Sequence, residues 1–187
     1  LDATGAALTI AAAGDITSDG AVNLTGNTGI STAGDVTTTA DNVDYNSATT
    51  LTGNVVVDSD GGNTTFASTV DGAFDLGVDG GAAGNIVFTG AVGGVARLGA
   101  LSITDANDVT AAAITAASLA QADGGGTTTF NGAIDTDGAA GVSVTADAIA
   151  LNNTINTTNA GTVDLNADGA ALTIAAAGDI TSDGAVN

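Results

Sequence analysis

The side chains best able to do chemistry here are carboxylates. Asp58-Ser59-Asp60-Gly61-Gly62 and Asp135-Thr136-Asp137-Gly138 each set two aspartates two positions apart, ahead of glycine. Calcium takes roughly six to eight oxygen ligands, and turns of this form supply some of them. Asp58, Asp60, Asp135 and Asp137 are therefore the candidate metal ligands, and Ca2+ is the one cofactor the residues suggest. Asp15 with Asp19 and Asp105 with Asp108 are looser pairs. No Glu follows to complete an EF-hand loop, and the calcium-binding GGxGxD repeat is missing. The plainer reading is that these are solvated turn residues. A net charge of −20 would still gather divalent cations diffusely along the surface.

Most other chemistry is excluded by composition. The 187 residues contain no Cys, His, Lys, Glu, Pro, Met or Trp, and the single base is Arg97. Thiolate and imidazole metal sites, catalytic triads, Schiff bases and phosphate-binding loops all need residues that are missing. Nucleic acid is excluded as a partner, because phosphates must be met by cations. No apolar run is long enough for a transmembrane helix. A polysaccharide-cleaving β-helix would need acids gathered on one face, whereas these are spread along the whole chain. The sequence is read as that of a non-enzyme, with no catalytic or cofactor-binding residues.

Three further groups invite a role. Thr37-Thr38-Thr39, Thr64-Thr65 and Thr127-Thr128-Thr129 would form outward rows, which order water in ice-binding proteins but also simply suit a soluble strand. Asn131, Asn152 and Asn153 follow large apolar residues and could stack as an amide ladder. Arg97 could pair with a carboxylate; a lone exposed Arg is the plainer reading.

The elements that would carry these residues announce themselves by repetition. GAALTIAAAGDITSDGAVN occurs at 5–23 and again at 169–187, an offset of 164 residues. This reads as a tandem array, with residues 1–164 one unit and 165–187 the start of the next, in one continuous body. A shorter period lies inside it. Phe66, Phe88, Phe130 and Leu151 each precede Val or Ile by four positions, at separations near multiples of 21. Apolar pairs two apart (Val22/Leu24, Val43/Tyr45, Val55/Val57, Phe74/Leu76, Leu101/Ile103, Ala117/Leu119, Val142/Val144 and Val163/Leu165) recur about every 20.5 residues, with one short step of 12 between Val43 and Val55. Alternation of apolar and polar residues over short stretches is a strand signal, and Gly, Asn and Asp between them mark corners. A coil this short has no room for a crossover helix. The expected fold is all-β: a parallel β-helix, or β-solenoid, with about 20–21 residues per coil and roughly eight coils per unit. At about 4.8 Å per coil the unit would advance about 38 Å. The absence of Pro fits, since every inner strand is a central strand.

The phrases DNVDYNSATTLTGNVVVDSDGGNTTFASTVDGAFDLG (41–77), NIVFTGAVGG (85–94), TTTFNGAIDTDGAAGVSVTADAIALNNTI (127–155) and ALTIAAAGDI (171–180) resemble the repeats of giant bacterial exoproteins related to filamentous-haemagglutinin-like adhesins. The resemblance covers essentially the whole chain. It implies a right-handed parallel β-helix, export to the cell surface or medium, and a part in attachment, aggregation or fibre formation. It carries no catalytic residues. The expected function is a segment of an extracellular structural fibre whose partners are further copies of the same repeat, end to end and laterally. The alternatives are the shaft of an adhesin presenting a distal binding domain, or a calcium-stabilised surface-layer-like module.

Overall fold

The computed structural model describes residues 1–187. Twenty-four short strands and no helix make up the chain, and the strands are paired in parallel. The path is a three-faced solenoid of nine coils. The first face stacks Asp2–Ala3, Val22–Gly26, Val43–Tyr45, Thr64–Phe66, Ile86–Phe88, Val109–Ala111, Thr127–Phe130, Ala148–Leu151 and Leu172–Ile174. Partners on this face lie 19 to 23 residues apart, as in Val43↔Thr64, Ile86↔Val109 and Val109↔Thr128.

The second face carries Leu8–Ile10, Ile30–Thr32, Thr49–Leu51 and Val70–Asp71, then the single bridging residue Val92. It continues through the start of Ile114–Gln121, Ile134–Thr136, Ile155–Thr157 and Ile180–Ser182. The third face carries Ile16–Ser18, Val36–Thr38, Val55–Asp58, Leu76–Asp79 and Leu98–Ile103. The end of Ile114–Gln121, then Val142–Ala146, Val163–Ala167 and Val186 complete it. Ile114–Gln121 rounds a corner without a break, which joins the second and third faces into one hydrogen-bonded path.

The eight apolar pairs of the sequence do not lie on one face. Val22/Leu24 and Val43/Tyr45 belong to the first face, and Val55/Val57 and those after it to the third. The short step of 12 residues is thus a walk from one face to another within a single coil. Phe74, expected to point inward beside Leu76, lies in the corner ahead of the strand and is 39% exposed; the inward pair there is Leu76 and Val78.

Period-two alternation sends every second side chain into a narrow axial column, where 36 buried apolar residues form one continuous cluster. Tyr45, Phe66 and Phe88 stack along this column, with ring centroids 4.7 and 5.1 Å apart and planes tilted by 18° and 7°. Parallel pairing sets Tyr45 against Phe66 and Phe66 against Phe88, so the ring offset is the coil spacing itself. The same alternation corrects the reading of the threonine rows. Thr37, Thr65 and Thr129 point outward or to the rim, but Thr38, Thr64 and Thr128 are buried. Their hydroxyls are satisfied inside: Thr38 donates to the Asp41 carbonyl at 2.6 Å, Thr64 to Ser59 Oγ at 3.2 Å and Thr128 to Gln121 Oε1 at 2.9 Å.

Corners must bring backbone close to backbone. At Gly141, with φ +65°, a Cβ would strike the Thr162 carbonyl of the next coil, so only glycine fits. Gly93, at φ +69°, meets the Thr115 carbonyl in the same way.

Tyr45 generates a test. Its hydroxyl is buried with no hydrogen-bond partner, and an unmet buried polar group costs about 1–3 kcal/mol. Tyr45→Phe should keep the stack and hold or raise stability by about 1 kcal/mol in urea unfolding. Burial, and secondarily the Asp35 carboxylate, push the phenol above its ordinary 10.0. The folded chain therefore keeps a proton that the unfolded chain releases above pH 10. This contribution to stability is complete below about pH 10 and falls as pH rises beyond it. Tyr45→Phe should remove that fall. Because Tyr45 is the only tyrosine, phenolate absorbance should appear with unfolding, and not before it.

Candidate functional site: the acidic corners and Arg97

Two corners of the solenoid are lined by Asn and Asp placed immediately before strands. Entering the first face, Asn42 Oδ1 accepts the Asn63 N–H at 3.0 Å and Asn63 Oδ1 accepts the Asn85 N–H at 2.9 Å. Asn85 Oδ1 then accepts the Asp108 N–H at 3.1 Å, and Asp108 Oδ1 the Thr127 N–H at 2.7 Å. Entering the third face, Asp15 accepts from Asp35 at 3.0 Å and Asp35 from Val56 at 2.7 Å. Asn54 likewise accepts from Asp75 at 3.1 Å, and Asp75 from Ala100 at 2.7 Å. Each side chain accepts an amide one coil further on, just before the next strand or within its first three residues. Short acceptor side chains suit this task because they reach a neighbouring amide without leaving the backbone.

The expected amide ladder forms in part. Asn152 donates to Asn131 Oδ1 at 3.0 Å, whereas Asn153 turns to accept the Thr154 N–H.

Arg97 is held, not free. It stands at the end of Gly93–Arg97, a loop that lengthens the fifth coil. The Asp71 carboxylate shapes this loop by accepting the Val95 and Ala96 amides at 2.7 and 3.1 Å. Val95 at its tip is 93% exposed. The guanidinium reaches along the rod: Nη2 meets Asp135 Oδ1 at 3.0 Å and Nε meets Asp137 Oδ2 at 3.3 Å. Nη1 donates to the carbonyls of Ala116 and Asp135 at 2.8 and 2.9 Å. One cation thus ties the fifth, sixth and seventh coils, and the bidentate fork of Arg, which Lys lacks, makes this possible.

This places the sequence candidates. Asp135 and Asp137 are brought together, around a guanidinium. Asp58 Oδ1 accepts the Asp60 amide at 3.0 Å, and Asp60 occupies the corner at φ 46°. Asp58 lies beside Asp79 on the neighbouring coil. Asp15 and Asp108 serve the corner ladders, while Asp19 accepts the Thr39 hydroxyl at 2.6 Å. No group of three or more acids is arranged to hold a metal ion. One shallow cleft of about 270 Å³ lies against the first face, lined by Val87, Phe88, Thr89, Thr110, Ala112 and Asn131, with no ionisable group.

The strand-entry ladder was missed in the sequence, although its signal was there: Asn42, Asn63, Asn85 and Asp108 each precede an inward residue at coil spacing. The chain defines a class by shape, a parallel β-solenoid. Comparison with family models, curated proteins and solved structures returned no match.

Arg97→Ala should lower stability by about 1 kcal/mol in urea unfolding, less in molar salt, because half-exposed ion pairs are weak and screened while the two carbonyl contacts are also lost. Asn63→Ala should cost about 1 kcal/mol independently of salt, by leaving the Asn85 amide uncapped.

Proposed function

We propose that this chain is a segment of a structural fibre, built from tandem copies of a 164-residue unit and working outside the cell. The observation that carries the reading is the reception of the second copy. The repeated sequence at 169–187 continues the stack as a ninth coil, its strands pairing with those of the eighth. A rod that extends by adding its own sequence has no intrinsic length. The cross-section is suited to bearing load, because inter-coil hydrogen bonds run along the axis and the aliphatic column keeps the coils in register.

The surface supports the same reading. Acids serve as corner caps, and the remaining negative charge keeps neighbouring rods apart until cations or partners bridge them. The partners are further copies of the unit, end to end and laterally. The likeness of the repeats to those of giant bacterial exoproteins favours a cell-surface or secreted setting.

Electron microscopy and fibre diffraction of the native material test this. Unbranched rods with a meridional spacing of about 4.8 Å are expected; discrete globular particles would refute it. Trypsin adds a check on the same material. Its only target in each unit is Arg97, which is pinned across three coils, so the folded rod should survive and the heated chain should be cut once per unit.

A further inference from the structure

The two copies of the repeated sequence do not occupy the same faces. In the first copy Leu8–Ile10 lies on the second face beside Ile30–Thr32, and Ile16–Ser18 on the third beside Val36–Thr38. Val22 then opens the first face of the next coil, beside Val43. In the second copy Leu172–Ile174 lies on the first face beside Ile149–Leu151, and Ile180–Ser182 on the second beside Ile155–Thr157. Val186 bridges to Val163 on the third. The flanking residues agree: Asp2–Ala3 is on the first face, and the equivalent Asn166 and Ala167 end a third-face strand. Every element has moved by one face in the same sense.

Leu8 holds the second strand position of the first coil, and Leu172 the first position of the ninth. The copies therefore stand seven and two-thirds coils apart, not eight. The local turns survive the move. Gly14 N–H donates to the Ala11 carbonyl at 2.7 Å, and Gly178 N–H to the Ala175 carbonyl at 2.8 Å. Ser18 Oγ caps the Gly20 amide at 3.2 Å, and Ser182 Oγ the Gly184 amide at 3.0 Å. One sequence makes the same turns at different corners, so the corners are interchangeable for it.

We infer that the edge of the eighth coil is the docking surface for the opening segment of the next copy of this unit, and that it seats that copy one face early. Each successive unit is then turned by a third of a coil about the axis, and the surface pattern returns to its starting face after three units. The extension to an array rests on the tandem reading; the rotation itself is readable within this chain.

Cysteine pairs at outward positions of adjacent coils test it, since strand neighbours about 4.8 Å apart lie within disulfide reach. Four double variants of the 187-residue chain are oxidised mildly, with circular dichroism confirming the β-fold. A150C/T173C and N156C/T181C join residues that are neighbours in the rotated seating. N156C/T173C and D164C/T181C join residues that would be neighbours only after eight whole coils. Near-complete linkage of the first two with little of the second two is expected. Linkage of the second two, alone or alongside the first, overturns the inference, as does failure of both members of the first set in folded chains. In the native array the rotation predicts an axial repeat of about 110 Å for three units, and a repeat of about 38 Å for eight-coil units would contradict it. The fibre reading fails separately: the first set linked but no rods in micrographs removes the fibre and keeps the rotation, while rods with the second set linked do the reverse.

Discussion

The structure depends on one constraint: each coil must present its backbone amides and carbonyls where the next coil can meet them. Residue 43 finds residue 64, 64 finds 86, and 86 finds 109. Along a strand this match is automatic once the first pair is set, because parallel in-register pairing propagates. At a corner it is not, since the chain leaves the ladder and must rejoin it. Coil length is therefore free to vary only at corners, and it does so at Gly93–Arg97, where Asp71 and Arg97 together anchor the extra residues.

That constraint explains where the charge went. A carboxylate or amide before a strand solves the corner problem by accepting the amide of the next coil, and a column of them solves it repeatedly. The acidic character of the chain is thus partly a by-product of architecture. Asp15, Asp35, Asp75 and Asp108 act as caps, and Asp71 as a loop anchor. The single guanidinium reads as the exception, a clasp spanning three coils at the place where the winding is least regular.

Much of this was legible in the residues. Coil length follows from the spacing of Phe66 and Phe88, which face each other on neighbouring coils, and of Phe130, which stands two coils beyond Phe88 with Ala111 between. The paired strands follow from alternation at Val142-Ser143-Val144 and Val163-Asp164-Leu165. What was hidden needed three dimensions. Alternation alone does not say which of three similar faces a pair joins, so the step from Val43 to Val55 looked like a short coil. Thr38, Thr64 and Thr128 read as surface because the groups that meet their hydroxyls, at Asp41, Ser59 and Gln121, are brought to them only by the winding of the chain. The clasp joins Arg97 to residues 38 and 40 positions on, a separation that no local pattern announces.

The rotation of copies bears on how rods would pack. A prism that repeats on a single side has a key, and it crystallises or zips along that side alone. Here the tip at Val95, with the clasp beside it, would wind around an array like the stripe on a barber's pole. A neighbour facing any one of the three sides would then meet the same relief within three units. If the proposed array forms, its units would present the same relief to each side in turn, so that bundles of it would gather with no single preferred side, more like a felt than a sheet.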